Sequence, residues 1–183
     1  MRLSRIVLAT TLSGVFAGLS ASQDFAGSKA PTIIYQAPEI STIYRGRPST
    51  VQLNFRIPSG FHVNSNQPRQ EYLKKTELKM DPPTDIAIEK LTYPQGEDRS
   101  FPFAPDDKLS VYTGDFAIGV TVRPLKTVMP AKYAVHAVLN YQACDNAACY
   151  PPKHLPVSFE VKVLKSANEH PRRTPPQSPH THS

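Results

Sequence analysis

Hydrophobic and polar side chains alternate along several segments of this 183-residue chain. In residues 50–57 a Val, a Leu, a Phe and an Ile lie at every second position, with polar residues between them. A period of two is typical of a strand that is buried on one face. The same pattern recurs in residues 76–80, 115–123, 133–142 and 155–163. The chain is therefore predicted to be all-β, with about eight to ten strands and no helix.

Turn-forming residues separate the predicted strands. Thr113 and Gly114 lie between two apolar segments and predict a tight hairpin. Residues 99–107 contain two prolines and show no periodicity, so they are predicted to form an irregular loop. Strands joined by connections as short as these pack most economically as an antiparallel β-sandwich.

The two ends of the chain differ from the predicted strands. Residues 1–22 combine early arginines with an apolar segment and an Ala-Ser cleavage site, which is typical of a secretory signal peptide. Residues 23–31 are predicted to be a flexible lead, residues 32–165 the folded domain, and residues 166–183 a disordered tail rich in Pro and His. These features predict a periplasmic or secreted protein with no membrane insertion after removal of the signal.

The charged residues argue against several classes of function. Lys and Arg outnumber Asp and Glu by 21 to 15, but they are spread along the strands and do not cluster with aromatic residues. Nucleic-acid binding is therefore not expected. The sequence also contains no nucleophile elbow, phosphate-binding loop or specific pair of carboxylates. Hydrolase and kinase chemistry has no support.

Candidate chemistry is concentrated in residues 141–152, which hold both cysteines of the chain, Cys144 and Cys149. This segment joins the last two predicted strands, which we expect to pair antiparallel. A disulfide between the cysteines would close a ring of six residues. The chain-entropy relation gives such a ring about 2 kcal/mol of stabilisation, compared with about 4.7 kcal/mol for a hundred-residue loop. A bond worth so little as a staple favours a reversible dithiol–disulfide pair.

Two other interpretations of the cysteine pair remain open. The disulfide could be a structural staple that fixes a recognition loop in a non-catalytic binding module. Alternatively, the two thiolates could bind copper or another soft metal, with His62 as a further ligand. Two thiolates supply only half of a tetrahedral shell, however, and no His lies at zinc-finger spacing. The preferred interpretation includes neither a metal site nor a cofactor.

The cysteine segment resembles the signature of a known family. The order Tyr-Gln-x-Cys…Cys-Tyr-Pro-Pro in residues 141–152 is similar to that of the N-terminal periplasmic domain of DsbD, the transmembrane thiol:disulfide interchange reductase. Three further segments follow the family's order. They are a Gly-aromatic strand at residues 59–64, a Pro-Gln-Gly turn at residues 93–96 and a strand pair at residues 108–122. The resemblance extends over about residues 40–164.

The resemblance implies an immunoglobulin-like β-sandwich that carries electrons from a membrane domain to periplasmic thioredoxin-fold proteins. It implies that Cys149 forms the mixed disulfide with partners and that Cys144 resolves it. It also implies an aromatic cap over the cysteines, for which the candidates are Phe101 and Phe103 in residues 99–107. The acidic residues of this segment follow the phenylalanines, whereas in the best-known form of the family they precede its Phe.

A few more residues are candidates for supporting the site. His62 and Asn64 lie two residues apart, hence on one face of the strand that faces the cysteines, and His62 could hydrogen-bond a thiolate. Tyr141 and Tyr150 flank the cysteines, and each is expected to pack in the core or to support the loop; Asp145 is interpreted as a turn former. The function hypothesis is thiol–disulfide interchange without a cofactor. Its partners would be thioredoxin-fold periplasmic proteins, with electrons from a separately encoded membrane reductase.

Overall fold

The computed structural model describes residues 30–165. The predicted signal peptide, most of the predicted lead and the predicted tail lie outside this range. Within it the chain forms strands and no helix, so no helix there could cross a membrane, and the all-β prediction is confirmed. The strands are, in chain order, β1 (Ile34–Gln36), β2 (Ser41–Tyr44), β3 (Ser49–Arg56), β4 (His62–Asn64), β5 (Glu77–Asp81), β6 (Ile86–Thr92), β7 (Glu97–Phe101), β8 (Ala104–Tyr112), β9 (Asp115–Pro124), β10 (Lys132–Tyr141), β11 (Ala143–Cys144) and β12 (Lys153–Leu164).

These strands are arranged in three sheets of four strands each. The first sheet has the order β1-β3-β9-β6, the second β2-β12-β10-β5 and the third β11-β4-β8-β7. Among residues 30–165, neighbouring strands are antiparallel except for β2, which runs parallel to β12 at the edge of the second sheet. The domain is an immunoglobulin-like β-sandwich, as expected.

The main core lies between the first two sheets. On β3 the alternate residues Val51, Leu53 and Phe55 are buried, and the polar residues between them are exposed. On β12 every second residue from Val157 to Val163 joins the same core. Each such side chain contributes about 1.5–3 kcal/mol when it leaves water. The alternation in the sequence therefore determines which face of each strand is turned inward.

The antiparallel pairing of β10 and β12 determines where the cysteine segment lies. Its register runs without interruption from Lys132↔Lys162 to Tyr141↔Lys153, which confirms the predicted pairing. Residues 142–152 connect the two strands at the end of this ladder. Both ends of the cysteine segment are therefore held at one rim of the sandwich.

The predicted hairpin at Thr113 and Gly114 is wrong. β8 pairs with β4 and β7, whereas β9 pairs with β3 and β6, so the turn passes the chain from the third sheet to the first. Gly114 has a φ of 60°, a conformation that favours glycine. Its carbonyl accepts a 2.8 Å hydrogen bond from the amide of Ile57, which follows β3. The sequence identified a tight turn, but the strands beside it have other partners.

Residues 99–107, which were predicted to be an irregular loop, belong mostly to a β-hairpin. β7 and β8 pair from Glu97↔Val111 to Phe101↔Ala104, with a shift of register after Arg99. Residues 102 and 103 form the turn. Residues 105–108 are all exposed, so this part of β8 carries no hydrophobic alternation that could have predicted a strand.

The third sheet is buried on both faces around β4. All three residues of this short strand are buried. Val63 contacts the main core, so His62 and Asn64 point to the opposite face of the sheet. A second, smaller core lies on that side, and it consists of Phe101, Leu109 and Val111 with Leu73 packed against them. The cysteine segment adjoins this second core through the pairing of β11 with β4.

Candidate thiol-disulfide site

Cys144 and Cys149 form a disulfide, with their sulfur atoms 1.99 Å apart and their Cα atoms 4.0 Å apart. Cys144 ends β11 and lies directly opposite His62 of β4. The two cysteines differ sharply in exposure, because Cys144 is fully buried and Cys149 is exposed. An approaching protein can therefore reach the disulfide from the Cys149 side.

Asp145 organises the loop between the cysteines. Its Oδ1 atom accepts hydrogen bonds from the amides of Ala147, at 2.7 Å, and Ala148, at 2.8 Å. Its Oδ2 atom accepts a 2.6 Å hydrogen bond from the Tyr150 hydroxyl. Its own amide donates to the carbonyl of Ala148 at 3.0 Å. The hydrogen bonds from Tyr150, Ala147 and Ala148 lower the pKa of the Asp145 carboxyl, so it is ionised at neutral pH.

His62 lies between Cys144 and the second core. The residue is 2% exposed, and its ring stacks on Phe101 with centroids 3.8 Å apart and planes inclined by 14°. Burial lowers the pKa of His62 from 6.5 to about 4; the charge of Asp145 opposes this shift and that of Arg99 adds to it. Among residues 30–165 its Nε2 atom has no hydrogen-bond partner. The site thus contains a neutral imidazole beside Cys144 with a free polar atom.

The two candidate cap residues have different positions. Phe101 is 8% exposed and belongs to the second core, whereas Phe103 is 38% exposed in the turn between β7 and β8. Their rings are 5.6 Å apart and nearly parallel. Phe103 lines a cavity of about 460 Å³ together with Cys149, Tyr72 and Leu73. Of the two candidates, Phe103 is therefore the one that lines a cavity with the exposed Cys149, and Phe101 stacks with both His62 and Phe103.

Tyr150 and Tyr141 take different roles around the cysteine segment. Tyr150 bonds to Asp145 within the loop, and its carbonyl accepts a 3.1 Å hydrogen bond from Nε2 of Gln142. Tyr141 is buried in the main core, where its hydroxyl accepts a 3.2 Å hydrogen bond from the amide of Ile33. Tyr141 therefore supports the core, and Tyr150 supports the loop.

Asn64 fixes the chain that follows β4. Its Nδ2 atom donates a 3.0 Å hydrogen bond to the carbonyl of Lys74, and its own carbonyl accepts a 2.6 Å bond from the Thr76 hydroxyl. These bonds hold residues 65–75 against the third sheet, with Leu73 turned to the second core. Asn64 thus positions the segment that carries Leu73.

Sequence reasoning missed part of this arrangement. Tyr72 and Leu73 line the cavity with Cys149 although more than 70 residues separate them in the chain. No local pattern could have revealed that contact. Asp145 was identified as a turn former, and an Asp that follows Cys144 in a short loop is a known signal for such a turn. Its additional bond to Tyr150 depends on the folded loop.

The reactive atoms of the site are the sulfur atoms of Cys144 and Cys149. Within the described residues no three or more His, Cys, Asp or Glu side chains are grouped so that they could hold a metal ion. The site offers an exposed cysteine, a buried cysteine bonded to it, a neutral imidazole and an aromatic ring at the entrance. Such a pair can exchange its disulfide with another thiol or disulfide.

Fold and site define an immunoglobulin-like domain with a short-ring disulfide at its rim. The family model described as "Thiol:disulfide interchange protein DsbD, N-terminal" matches residues 33–160, which is more than two thirds of the chain. The chain therefore belongs to the DsbD N-terminal domain family, and the resemblance of its sequence is confirmed. No curated protein matches it.

Several solved structures are similar to the chain. The DsbD N-terminal domain of Neisseria meningitidis in the reduced form is 21% identical, with 61% of this chain and 74% of that one covered and a TM-score of 0.38. A complex between the DsbD and PilB N-terminal domains of the same organism gives 21% identity, coverage of 60% and 73%, and a TM-score of 0.39. A ScaB type I cohesin from Pseudobacteroides cellulosolvens gives 14% identity, coverage of 78% and 94%, and a TM-score of 0.39.

Proposed function

We propose that this domain passes electrons between periplasmic proteins by opening and closing the Cys144–Cys149 disulfide. The observation that carries the proposal is the unequal exposure of the two cysteines, since one is accessible to a partner and the other is fully buried beside it. Membership of the DsbD N-terminal domain family supports the same chemistry. The small stability that a six-residue ring supplies, about 2 kcal/mol, suits a bond that is repeatedly broken.

In the proposed cycle the reduced domain gives two electrons to a partner disulfide. The Cys149 thiolate attacks one partner sulfur, a mixed disulfide forms, and the second partner sulfur leaves as a thiolate that takes up a proton. Cys144 then loses its proton and attacks the sulfur of Cys149. The mixed disulfide breaks, and the first partner sulfur leaves and is protonated. A reduced donor returns the domain to the dithiol form by the reverse sequence.

His62 and Phe103 have supporting roles in this proposal. The neutral His62 imidazole lies opposite Cys144 and has an unpartnered Nε2 atom among the described residues, so it offers a hydrogen bond to the Cys144 thiol when the ring opens. Phe103 stands at the cavity beside Cys149 and shields it from small thiols. A protein partner that enters this cavity would contact the ring of Phe103.

The partners in this proposal are thioredoxin-fold proteins of the periplasm, and the electrons come from a separately encoded membrane reductase. The chemistry needs no cofactor because both electrons are carried by the sulfur pair. The family assignment supports a periplasmic location. The Neisseria DsbD N-terminal domain forms a complex with the N-terminal domain of PilB, which makes an oxidised PilB-type domain a suitable first partner to try.

Two single variants test the assignment of the reactive cysteine. Cys144→Ser leaves the exposed Cys149, which should form a mixed disulfide with the oxidised thioredoxin-fold partner that survives non-reducing electrophoresis. Cys149→Ser leaves the buried Cys144 and is the matched control, which should trap far less. Trapping by Cys144 alone would reverse the assigned roles. Trapping by neither variant would favour a structural staple in a binding module.

A further inference from the structure

We infer that Asp145 is a positioning residue that keeps the two thiols ready for ring closure after the disulfide has opened. The inference rests on the proposed exchange at Cys149, and it assigns to the loop a role that sulfur chemistry alone does not require. Its basis is the set of hydrogen bonds that converge on one carboxylate inside the six-residue ring.

The hydrogen bonds of Asp145 close the loop without the sulfur atoms. Three donors, the amides of Ala147 and Ala148 and the hydroxyl of Tyr150, bond to the carboxylate, and the Asp145 amide bonds back to the Ala148 carbonyl. None of these atoms changes when the disulfide is reduced. Hydrogen bonds to a charged acceptor are roughly twice as strong as neutral ones. The turn that brings Cys149 back to Cys144 therefore persists in the dithiol form.

Both ends of the loop are anchored to the third sheet. The amide of Tyr150 donates a 2.8 Å hydrogen bond to the carbonyl of Ala143, and Ala143 pairs with Val63 of β4. Cys144 is fixed by the same ladder through its pairing with His62. The loop can therefore lose the sulfur–sulfur bond and still hold its two cysteines opposite each other.

Ring closure is the step that such a loop accelerates. In that step Cys144 gives up its proton and attacks the Cys149 sulfur of a mixed disulfide, and the partner sulfur leaves with the electron pair of the broken bond. The rate depends on how often the two sulfurs meet. Holding the reacting groups in place raises their effective concentration because the entropy of the encounter has already been lost. Asp145 supplies this constraint and leaves the first attack by Cys149 unaided.

The charges that face Asp145 allow it to keep this role at neutral pH. His62 of β4 is neutral at this pH because its pKa is about 4. The pKa of Asp145 itself is lowered by its three hydrogen-bond donors. Tyr150 faces the carboxylate with its hydroxyl as a hydrogen-bond donor. The carboxylate thus remains an ionised acceptor in the range where thiol exchange takes place.

The test compares Asp145→Asn with Asp98→Asn in equilibrium with reduced and oxidised glutathione at pH 7. The asparagine has a single acceptor oxygen and no charge, so it cannot accept hydrogen bonds from the two amides at one atom and from Tyr150 at the other. We expect the ring-closure equilibrium constant to fall about tenfold, which corresponds to a reduction potential less negative by about 30 mV. Asp98 is the matched control. It is also a carboxylate with a lowered pKa, but it lies on β7, pairs with Arg69 and has no bond to the loop. Asp98→Asn should leave the constant unchanged.

Kinetics separate positioning from general damage to the fold. In Asp145→Asn the rate of mixed-disulfide formation between Cys149 and oxidised glutathione should stay within about twofold of the wild-type rate, while the following ring closure slows about tenfold. Tyr150→Phe removes one donor to the carboxylate and should slow ring closure about threefold. It serves as the second test if Asp145→Asn does not fold.

The inference is overturned if both loop variants close the ring as fast as the wild-type protein, or if both steps slow equally. Glutathione is the probe throughout, so the result does not depend on a protein partner. A wild-type Cys149 that reacts with glutathione but traps no thioredoxin-fold protein would remove the proposed function and leave the role of Asp145 standing. If a thioredoxin-fold partner is trapped but the variants close the ring at the wild-type rate, the proposed function stands and the role of Asp145 is overturned.

Discussion

Reduction of the Cys144–Cys149 disulfide should cost the domain only a small part of its stability. The bond closes a ring of six residues, for which the chain-entropy relation gives about 2 kcal/mol. The hydrogen bonds from Ala147, Ala148 and Tyr150 to Asp145 involve no sulfur atom, so they remain in the reduced protein. Neither cysteine belongs to the main core, and most residues of that core lie on the first two sheets.

Urea unfolding of the oxidised and the reduced domain measures this difference. With a slope of about 1–3 kcal/mol per molar urea for a small domain, a loss of about 2 kcal/mol moves the midpoint by roughly 1 M. The slope itself should be the same for both forms, since both bury the same surface. The double variant Cys144→Ser/Cys149→Ser is the control and should show no dependence on reductant.

A much larger loss of stability on reduction would contradict this expectation. If reduction removed more than about 4 kcal/mol, the bond would act as the staple typical of small secreted domains. By the thermodynamic cycle, the expected 2 kcal/mol means that folding lowers the potential of the pair by about 40 mV relative to the unfolded chain. The folded domain therefore biases the sulfur pair only weakly, as an exchange protein requires.

Three further variants test Phe103 and His62 near the disulfide and Tyr141 in the main core. Phe103→Ala should raise the rate at which dithiothreitol reduces the bond several-fold, because the ring stands at the cavity beside Cys149; stopped-flow kinetics would check this, and an equal rate would contradict the shielding role. The pKa of His62 is about 4 in the folded protein and 6.5 in the unfolded chain. Below pH 6.5 the unfolded chain therefore binds a proton that the folded protein does not, so the free energy of unfolding falls as the pH is lowered from 6.5 toward 4. His62→Phe should therefore remove up to about 3 kcal/mol of the acid dependence seen in urea unfolding, and an unchanged pH profile would argue against a buried neutral imidazole. Tyr141→Phe should lower the free energy of unfolding by about 1 kcal/mol through the lost hydrogen bond from Ile33, with no change in the reduction potential.

The sequence was most informative where one face of a strand is buried in the main core. In β3 and β12 every second residue is apolar, and the structure buries those residues. The sequence was less informative about the third sheet, because β4 is buried on both faces and residues 105–108 of β8 are exposed on both. Neither situation produces an alternating pattern. The hairpin predicted at Thr113 and Gly114 failed because turn chemistry does not determine which strands pair.

The site shows the same division between local and distant signals. The cysteine segment and its neighbours could be identified from the order of residues, and the family assignment is confirmed. The different positions of Phe101 and Phe103 could not be identified in this way, because the turn of the β7–β8 hairpin determines them. Tyr72 reaches the cavity of Cys149 only through the path of residues 65–75, which Asn64 and Thr76 hold in place.

The equilibrium reduction potential of the Cys144–Cys149 couple, measured against glutathione at pH 7, distinguishes an exchange domain from one with a structural disulfide. An exchange domain requires a bond that physiological donors can open and partner proteins can close again. We expect a value between about −270 and −120 mV, the range of thiol–disulfide exchange proteins. A value below about −300 mV, where structural disulfides of secreted proteins lie, would contradict the account.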